Sequence, residues 1–223
     1  ELGCGGTLIK EIEMGKKVGL LDLTQGELGT RGNKEIRKNE AELSKNEMGA
    51  VFRDNLFLDD CFFENNRDNQ IQLISKIRRY RPEIIICNAP DDRHIDHQKA
   101  AKLVIDACFL SGLKKIKTSL EGNLQDVWRP MNVYHYIQWK NLEPDFLVNI
   151  SDYLNKKLIL INCYKSQFFN PKESNDNTPI STKNFLDSIT YRARDLGRLV
   201  GVEAAEGFIA SRFPLINSIT ELK

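Results

Sequence analysis

Short apolar runs alternate with segments of helical periodicity along the first half of the chain. The runs at residues 18–23 and 83–87 have the length of buried strands, and each is followed by a segment with the character of a helix. Parallel pairing of such strands requires each helix to cross back over the sheet, and these crossovers are right-handed. The pattern predicts an α/β fold with a Rossmann-like, mostly parallel sheet and helices on both faces.

The other elements follow from the same periodicity. We predict further strands and helices as follows: strands at residues 54–58, 133–138 and 146–150, and helices at residues 7–17, 34–48, 68–80, about 98–111, 152–164 and 184–200. Residues 170–181 are polar and contain proline, which is typical of a surface loop. No linker divides the chain, so we expect one domain over residues 1–223. Residues 1–8 have the character of a loop entering a helix, so we expect a first strand ahead of Glu1.

Composition narrows the class of protein. The net charge of +1 provides no basic field for nucleic acid, and no apolar run approaches membrane-spanning length. We therefore expect neither nucleic acid nor a membrane as a partner. The five cysteines are odd in number and widely spaced, which favours reduced thiols in a cytoplasmic protein over disulfides.

Residues 91–97, with the sequence DDRHIDH, hold two of the three histidines and four charged residues. They lie between a predicted strand and a predicted helix, at the end of the sheet where open α/β folds place their chemistry. His94 and His97 are spaced to share one side of a helical turn, with one imidazole on a metal and the other beside it as a hydrogen-bond donor. A solvated loop with a histidine N-cap is the alternative. Two histidines do not complete a catalytic zinc site, which takes three protein ligands and a water.

A glycine-rich loop at residues 24–32 leads into the helix that carries Arg37. This arginine could grip a carboxylate or sugar hydroxyls, or it could be an ordinary surface arginine. The loop matches no phosphate-binding signature. His135 lies in an alternating strand, where a structural role is expected. Residues 164–168 are open to two interpretations, closure over a site or packing.

Five segments of the chain, taken in order, resemble the LmbE-like (PIG-L type) N-acetylglucosaminyl deacetylases. Residues 1–8 (ELGCGGTL) resemble the end of that family's AHPDDxE-x-G-x-GGT block, and residues 23–32 with Arg37 resemble its second block. Residues 93–97 (RHIDH) resemble its RHPDH block, with isoleucine in place of proline. Residues 164–168 and 201–208 resemble blocks of the bacillithiol-biosynthesis branch, which acts on N-acetylglucosaminyl-malate. Ala204 departs from that branch, where an aromatic residue is common, and we expect an effect on subunit contacts or the pocket wall.

The resemblance implies a metal-dependent N-deacetylase with one Zn²⁺, or another divalent metal, per chain. His97 would be a metal ligand, and His94 would stabilise the tetrahedral oxyanion with Asp96 or Asp92 beside it to keep it protonated. Arg37 would face the substrate, and Arg37 with Arg93 would favour an anionic one. The other ligands, a His and an Asp, and the Asp general base are expected ahead of Glu1, in the AHPDD segment.

The implied reaction releases acetate from an amino-sugar glycoside, first of all N-acetylglucosaminyl-malate of bacillithiol biosynthesis. Two alternatives remain open. One is a related deacetylase of another sugar or thiol conjugate, and the other is a metal-free, non-catalytic sugar-binding protein. The resemblance also implies a homo-oligomer, a trimer or a hexamer, in the cytoplasm.

Overall fold

Strands and helices alternate through the first half of the chain, as the sequence predicts. The computed structural model describes residues 1–171 and 178–221. Within these ranges the helices are α1 (Gly5–Glu13), α2 (Lys34–Met48), α3 (Arg67–Tyr80), α4 (Ile95–Ser111), α5 (Leu154–Asn162) and α6 (Lys183–Leu199). The strands are β1 (Gly19–Asp22), β2 (Phe52–Asn55), β3 (Ile84–Cys87), β4 (Ser119–Leu120), β5 (Asn123–Leu124), β6 (Asn132–Tyr136), β7 (Phe146–Asn149) and β8 (Ala205–Ala210). Short 3-10 helices lie at Ser151–Tyr153 and Ile219–Glu221.

Some predicted bounds differ from the observed ones. The strand predicted at residues 54–58 lies earlier, at Phe52–Asn55, and α4 begins at Ile95 rather than near residue 98. The short hairpin of β4 and β5 and the last strand, β8, were not predicted as elements. Of the predicted loop at residues 170–181, residues 172–177 lie outside the described ranges, and the remainder has no helix or strand.

Helices cover both faces of the sheet, as predicted. Leu20 and Leu21 are neighbours in β1 and therefore point to opposite faces. Leu21 packs against a core formed mainly by α3 and α4, together with Ile85 of β3. Leu20 packs against a second core formed by α1, α2 and α5. None of the helices in the described part of the chain is long and apolar enough to cross a membrane.

The α/β fold is confirmed, and its sheets are mixed. β1 pairs with β2 and β3 pairs with β6, both in parallel, as the strand–helix alternation of the first half predicts. β8 then lies between β6 and β7 and is antiparallel to both. The sequence pattern identifies a strand but not the direction in which it pairs, so this reversal was missed.

The sheet is interrupted between β1 and β3. Among the described residues β1 pairs only with β2, and β3 pairs only with β6, so each has one unpaired edge. Leu21 and Ile85 nevertheless pack against the same core, so the two sheets lie over a shared layer of helices.

A buried ion pair fastens the first helix to the last strand. Glu206 of β8 accepts hydrogen bonds from the Gly6 and Thr7 amides at the start of α1, at 3.0 and 2.7 Å. Lys157 of α5 reaches the same carboxylate at 2.7 Å, and the two side chains are only 4% and 2% exposed. A carboxylate at a helix N-terminus satisfies amides that have no partner within the helix.

We predict that Glu206→Gln lowers the free energy of unfolding by about 3–5 kcal/mol, because it leaves the Lys157 ammonium buried without a counter-charge. Urea denaturation measures this effect. Asp187→Asn, which opens an exposed ion pair with Lys183, is the matched control and leaves the midpoint nearly unchanged. Equal losses of stability in the two variants would contradict the stabilising role of the Glu206–Lys157 ion pair.

Candidate active site

A cavity of about 930 Å³ opens where four strands end. Its wall includes Asp22 at the end of β1, Asn55 at the end of β2, Asn88 after β3 and Gln138 after β6. This is the position at which open α/β sheets bind ligands. The structure brings all the residues singled out from the sequence to this one cavity: Arg37, Arg93, His94, Asp96 and His97.

His97 is oriented by a buried carboxylate. Its Nδ1 lies 2.7 Å from Oδ2 of Asp92, whose side chain is 1% exposed. A carboxylate only accepts, so Nδ1 carries the proton and Nε2 of the neutral ring keeps a lone pair. The other oxygen of Asp92 accepts from the Arg93 amide at 2.7 Å. A carboxylate on the far nitrogen is the usual support of a metal-binding histidine.

His94 is the N-cap of α4. Its Nδ1 accepts a hydrogen bond from the Asp96 amide at 3.3 Å. In the neutral ring the proton is therefore on Nε2, where it is available to a ligand. The ring stacks on that of His97 with 5.2 Å between centroids. Ile95 follows as the first helical residue, a position at which proline is also favoured, so the departure from RHPDH leaves the helix start intact.

The predicted pairing of His94 with Asp96 or Asp92 is wrong. Asp92 contacts His97 instead. Asp96 turns the other way, accepting from the Cys61 amide at 2.8 Å, with the Lys99 ammonium 3.5 Å away. The start of α4 explains why His94 is not paired in this way. Nδ1 of His94 accepts from the backbone as the helix cap, so it cannot also donate to a carboxylate.

Asp60, Cys61 and Asp96 are close enough together to hold a metal ion. Their existing contacts oppose that use. Asp60 already accepts from Thr24 Oγ1 and from the Leu28 amide, which ties two loops together. Burial, with the charges of both aspartates, raises the pKa of the Cys61 thiol, which disfavours the thiolate that a metal binds. This group fits a loop anchor better than a metal centre.

His97 fits the expected zinc site as a single ligand. In the neutral ring Nε2 keeps its lone pair while Asp92 holds Nδ1, and this arrangement suits the donor that zinc requires. Among the described residues, no two further His, Cys, Asp or Glu side chains lie close enough to His97 to form a group of three. Of the expected zinc site, the described residues therefore fit one ligand position and its support.

Arg37 rests on the glycine-rich loop. Gly26 has a left-handed backbone, with φ of +63°, and a Cβ there would lie 2.8 Å from Nη2 of Arg37. Glycine at this position both permits the turn and leaves room for the guanidinium. Arg93 lies elsewhere on the wall, with its Cζ 4.6 Å from the centre of the Trp139 ring. Neither guanidinium has a hydrogen bond or ion pair to the described residues.

Sequence reasoning missed a charged network at the base of the cavity. Arg53 binds both carboxylate oxygens of Asp22, at 2.6 and 2.7 Å, and Oε1 of Glu1 at 2.7 Å. Tyr164 donates to the same Glu1 oxygen at 2.6 Å, and burial with the charge of Glu1 raises the pKa of this phenol. The sequence offered one signal for this network, the position of Asp22 at the end of a strand. Both interpretations of residues 164–168 have support: Tyr164, Gln167 and Phe168 line the cavity, and Phe168 and Tyr164 also pack in a core with Ile161 and Ile189.

Two other residues singled out from the sequence, His135 and Ala204, lie away from the cavity. His135 is structural, as predicted: it is buried, with Nδ1 2.6 Å from the Asn88 carbonyl and Nε2 3.2 Å from Ser211 Oγ. Ala204 is fully buried beside α6, in a core with Ile150, and is absent from the cavity wall. Its departure from the branch pattern therefore affects core packing.

The first half of the chain matches a family of known proteins. Residues 1–108 match the PIG-L family, described as GlcNAc-PI de-N-acetylase. Diacetylchitobiose deacetylase of Thermococcus kodakarensis is 28% identical over 178 residues, which is 75% of this chain and 65% of that enzyme. The chain thus spans less than two thirds of that relative's length.

Solved structures agree along the whole chain. The crystal structure of a conserved protein from Thermus thermophilus is 31% identical with a TM-score of 0.84, covering 98% of this chain and 91% of that one. The N,N'-diacetylchitobiose deacetylase of Pyrococcus horikoshii, solved with its inhibitor, has a TM-score of 0.78 at 23% identity, covering 100% and 84%. The latter likeness shows the fold alone. The chain thus has the same α/β fold as these two structures. The chain belongs to the PIG-L family.

We predict that Asp92→Ala releases the His97 ring and shifts its neutral form toward the tautomer protonated at Nε2, because Nδ1 loses its acceptor. Nitrogen chemical shifts of the imidazole report the tautomer. Asp91→Ala is the matched control, since the Asp91 carboxylate is exposed and binds Lys140 instead. An unchanged tautomer in Asp92→Ala would contradict the assignment.

Proposed function

We propose that this protein is a zinc-dependent N-deacetylase that removes acetate from an N-acetylglucosamine conjugate. One observation carries the proposal. His97, held through Nδ1 by the buried Asp92, stacks against His94 in the large cavity. Arg37 and Arg93 line the same cavity, and their guanidinium groups have no hydrogen bond or ion pair to the described residues. The family of the chain and the deacetylases among its relatives support this activity.

The two histidines divide the work. His97 would hold the metal through Nε2, while Asp92 fixes its ring and keeps the proton on Nδ1. A bound zinc ion supplies Lewis-acid polarisation of the amide carbonyl and a water of lowered pKa. His94 would donate from Nε2 to the oxygen on which charge develops, since its Nδ1 is committed to the backbone.

The remaining ligands and the Asp general base belong, in this proposal, to an AHPDD-type segment ahead of Glu1. This placement follows from the resemblance of residues 1–8 to the end of the family's AHPDD-type block.

The substrate is, we propose, N-acetylglucosaminyl-malate of bacillithiol biosynthesis. Arg37 and Arg93 support an anionic ligand, because a guanidinium without a protein partner is suited to bind a carboxylate through two parallel hydrogen bonds. The third cavity arginine discussed above, Arg53, is satisfied by Asp22 and Glu1 and is not available in this way.

The proposal extends to compartment and assembly. All five cysteines are free thiols, which supports a reducing compartment such as the cytoplasm. The resemblance to the family supports a homo-oligomer, a trimer or a hexamer. No nucleic acid is expected as a partner.

The test is deacetylation by the natural protein, with any residues that precede Glu1. We predict release of the free amine from N-acetylglucosaminyl-malate with zinc, and about one metal per chain. His97→Ala should lower kcat/KM by at least about 100-fold, because loss of a ligand exceeds the 10–100-fold typical of its support. Lys102→Ala is the control, since Lys102 is exposed on the same helix, pairs with Asp106 and lies outside the cavity.

Three outcomes would decide between the alternatives. Amine release from another acetylated sugar or a thiol conjugate, but not from the malate glycoside, would retain the chemistry and change the substrate. Sugar binding without metal or turnover would favour a non-catalytic binding protein. Undiminished turnover by His97→Ala would contradict the site.

A further inference from the structure

We infer that Trp139 is a specificity-determining residue: it holds the Arg93 guanidinium as a binding fork for a carboxylate on the aglycone of the substrate. The inference rests on the proposed function for its substrate class. It adds a subsite and a positioning residue to that function. Both residues line the large cavity.

Arg93 lies over the indole. Its Cζ is 4.6 Å from the centre of the Trp139 ring, within the range of a cation–π contact. Such a contact uses one face of the planar guanidinium and leaves the N–H groups along its edge available. No described residue accepts a hydrogen bond from this edge. The contact with Trp139 thus orients the flexible Arg93 side chain and leaves its N–H donors without an acceptor among the described residues.

Trp139 is in turn fixed by α6. Its ring also stacks on that of Phe185, with 5.2 Å between centroids and 20° between planes. Phe185 stacks on Phe168, at 6.1 Å and 9°. Arg192 of α6 also donates to the Trp139 carbonyl. The indole is held by its ring and by its backbone, so it is a rigid platform for Arg93.

The chemistry of the fork indicates the ligand class. A guanidinium edge matches the two oxygens of a carboxylate, and the paired hydrogen bonds set its direction. Arg37, resting on Gly26, adds a second unpaired cation to the same cavity. A sugar whose aglycone carries carboxylates offers acceptors to both arginines, whereas a neutral glycoside leaves their N–H groups to water.

The experiment compares two ligands in the natural protein. Calorimetry gives the affinities for N-acetylglucosaminyl-malate and for the neutral methyl N-acetylglucosaminide, and their ratio is the selectivity. We expect Trp139→Leu to lower this ratio by about three- to thirty-fold, and Trp139→Phe, which keeps an aromatic face, to lower it less. Phe109→Leu is the matched control. It removes a similar contact, with Arg129 Cζ 4.7 Å from the ring, at a place outside the cavity, and should leave the ratio unchanged.

A double-mutant cycle separates positioning from general packing. Arg93→Met should lower the same ratio, and Trp139→Leu should have no further effect on it in the Arg93→Met background. Additive losses, an unchanged ratio in folded Trp139→Leu, or equal losses for both ligands would overturn the inference.

The same samples distinguish this inference from the proposed function. Preferred binding of the anionic glycoside without acetate release would contradict the deacetylase and retain the subsite. Hydrolysis of both glycosides by the wild-type protein with no preference for the anionic one would retain the deacetylase and contradict the subsite.

Discussion

The hydrogen bond between Asp92 and His97 is the contact on which the site depends. Asp92 follows β3 and His97 lies in the first turn of α4, so this 2.7 Å contact spans the turn from strand to helix. Burial of the carboxylate makes its loss expensive, since an unpaired buried charge is costly. The bond fixes which nitrogen of His97 faces the cavity. The cap formed by His94 likewise commits Nδ1 of that ring, so the two stacked rings both keep Nε2 free.

Charge in the cavity is sorted into paired and unpaired groups. Arg53 is held by Asp22 and Glu1, and Asp96 is held by the Cys61 amide near Lys99, so these groups stiffen the wall. Arg37 and Arg93 are placed by a glycine and by an indole, neither of which neutralises them. The ion pairs of this cavity fix its wall, while the Arg37 and Arg93 guanidinium groups have no ion pair with the described residues. This contrast is the physical basis for proposing an anionic substrate.

The sequence predicted the α/β class, the helices and the segment at residues 91–97, because these depend on local periodicity and on position after a strand. It could not predict which carboxylate meets which histidine. Asp92 and Asp96 flank His94 in sequence, yet the helix start turns Asp96 toward Cys61 and His94 toward the backbone. The contact of Trp139 with Arg93 joins segments distant in the chain and has no local signature. The antiparallel direction of β8 was missed for the same reason.

The most direct test of the account is X-ray absorption at the zinc edge of the natural protein. Two groups compete for the metal: His97, supported by Asp92, and the group of Asp60, Cys61 and Asp96. The account predicts only nitrogen and oxygen neighbours at about 2.0–2.2 Å, with loss of the imidazole signal in His97→Ala. A sulfur neighbour at about 2.3 Å that disappears in Cys61→Ser would contradict it and move the metal centre to the loop after β2.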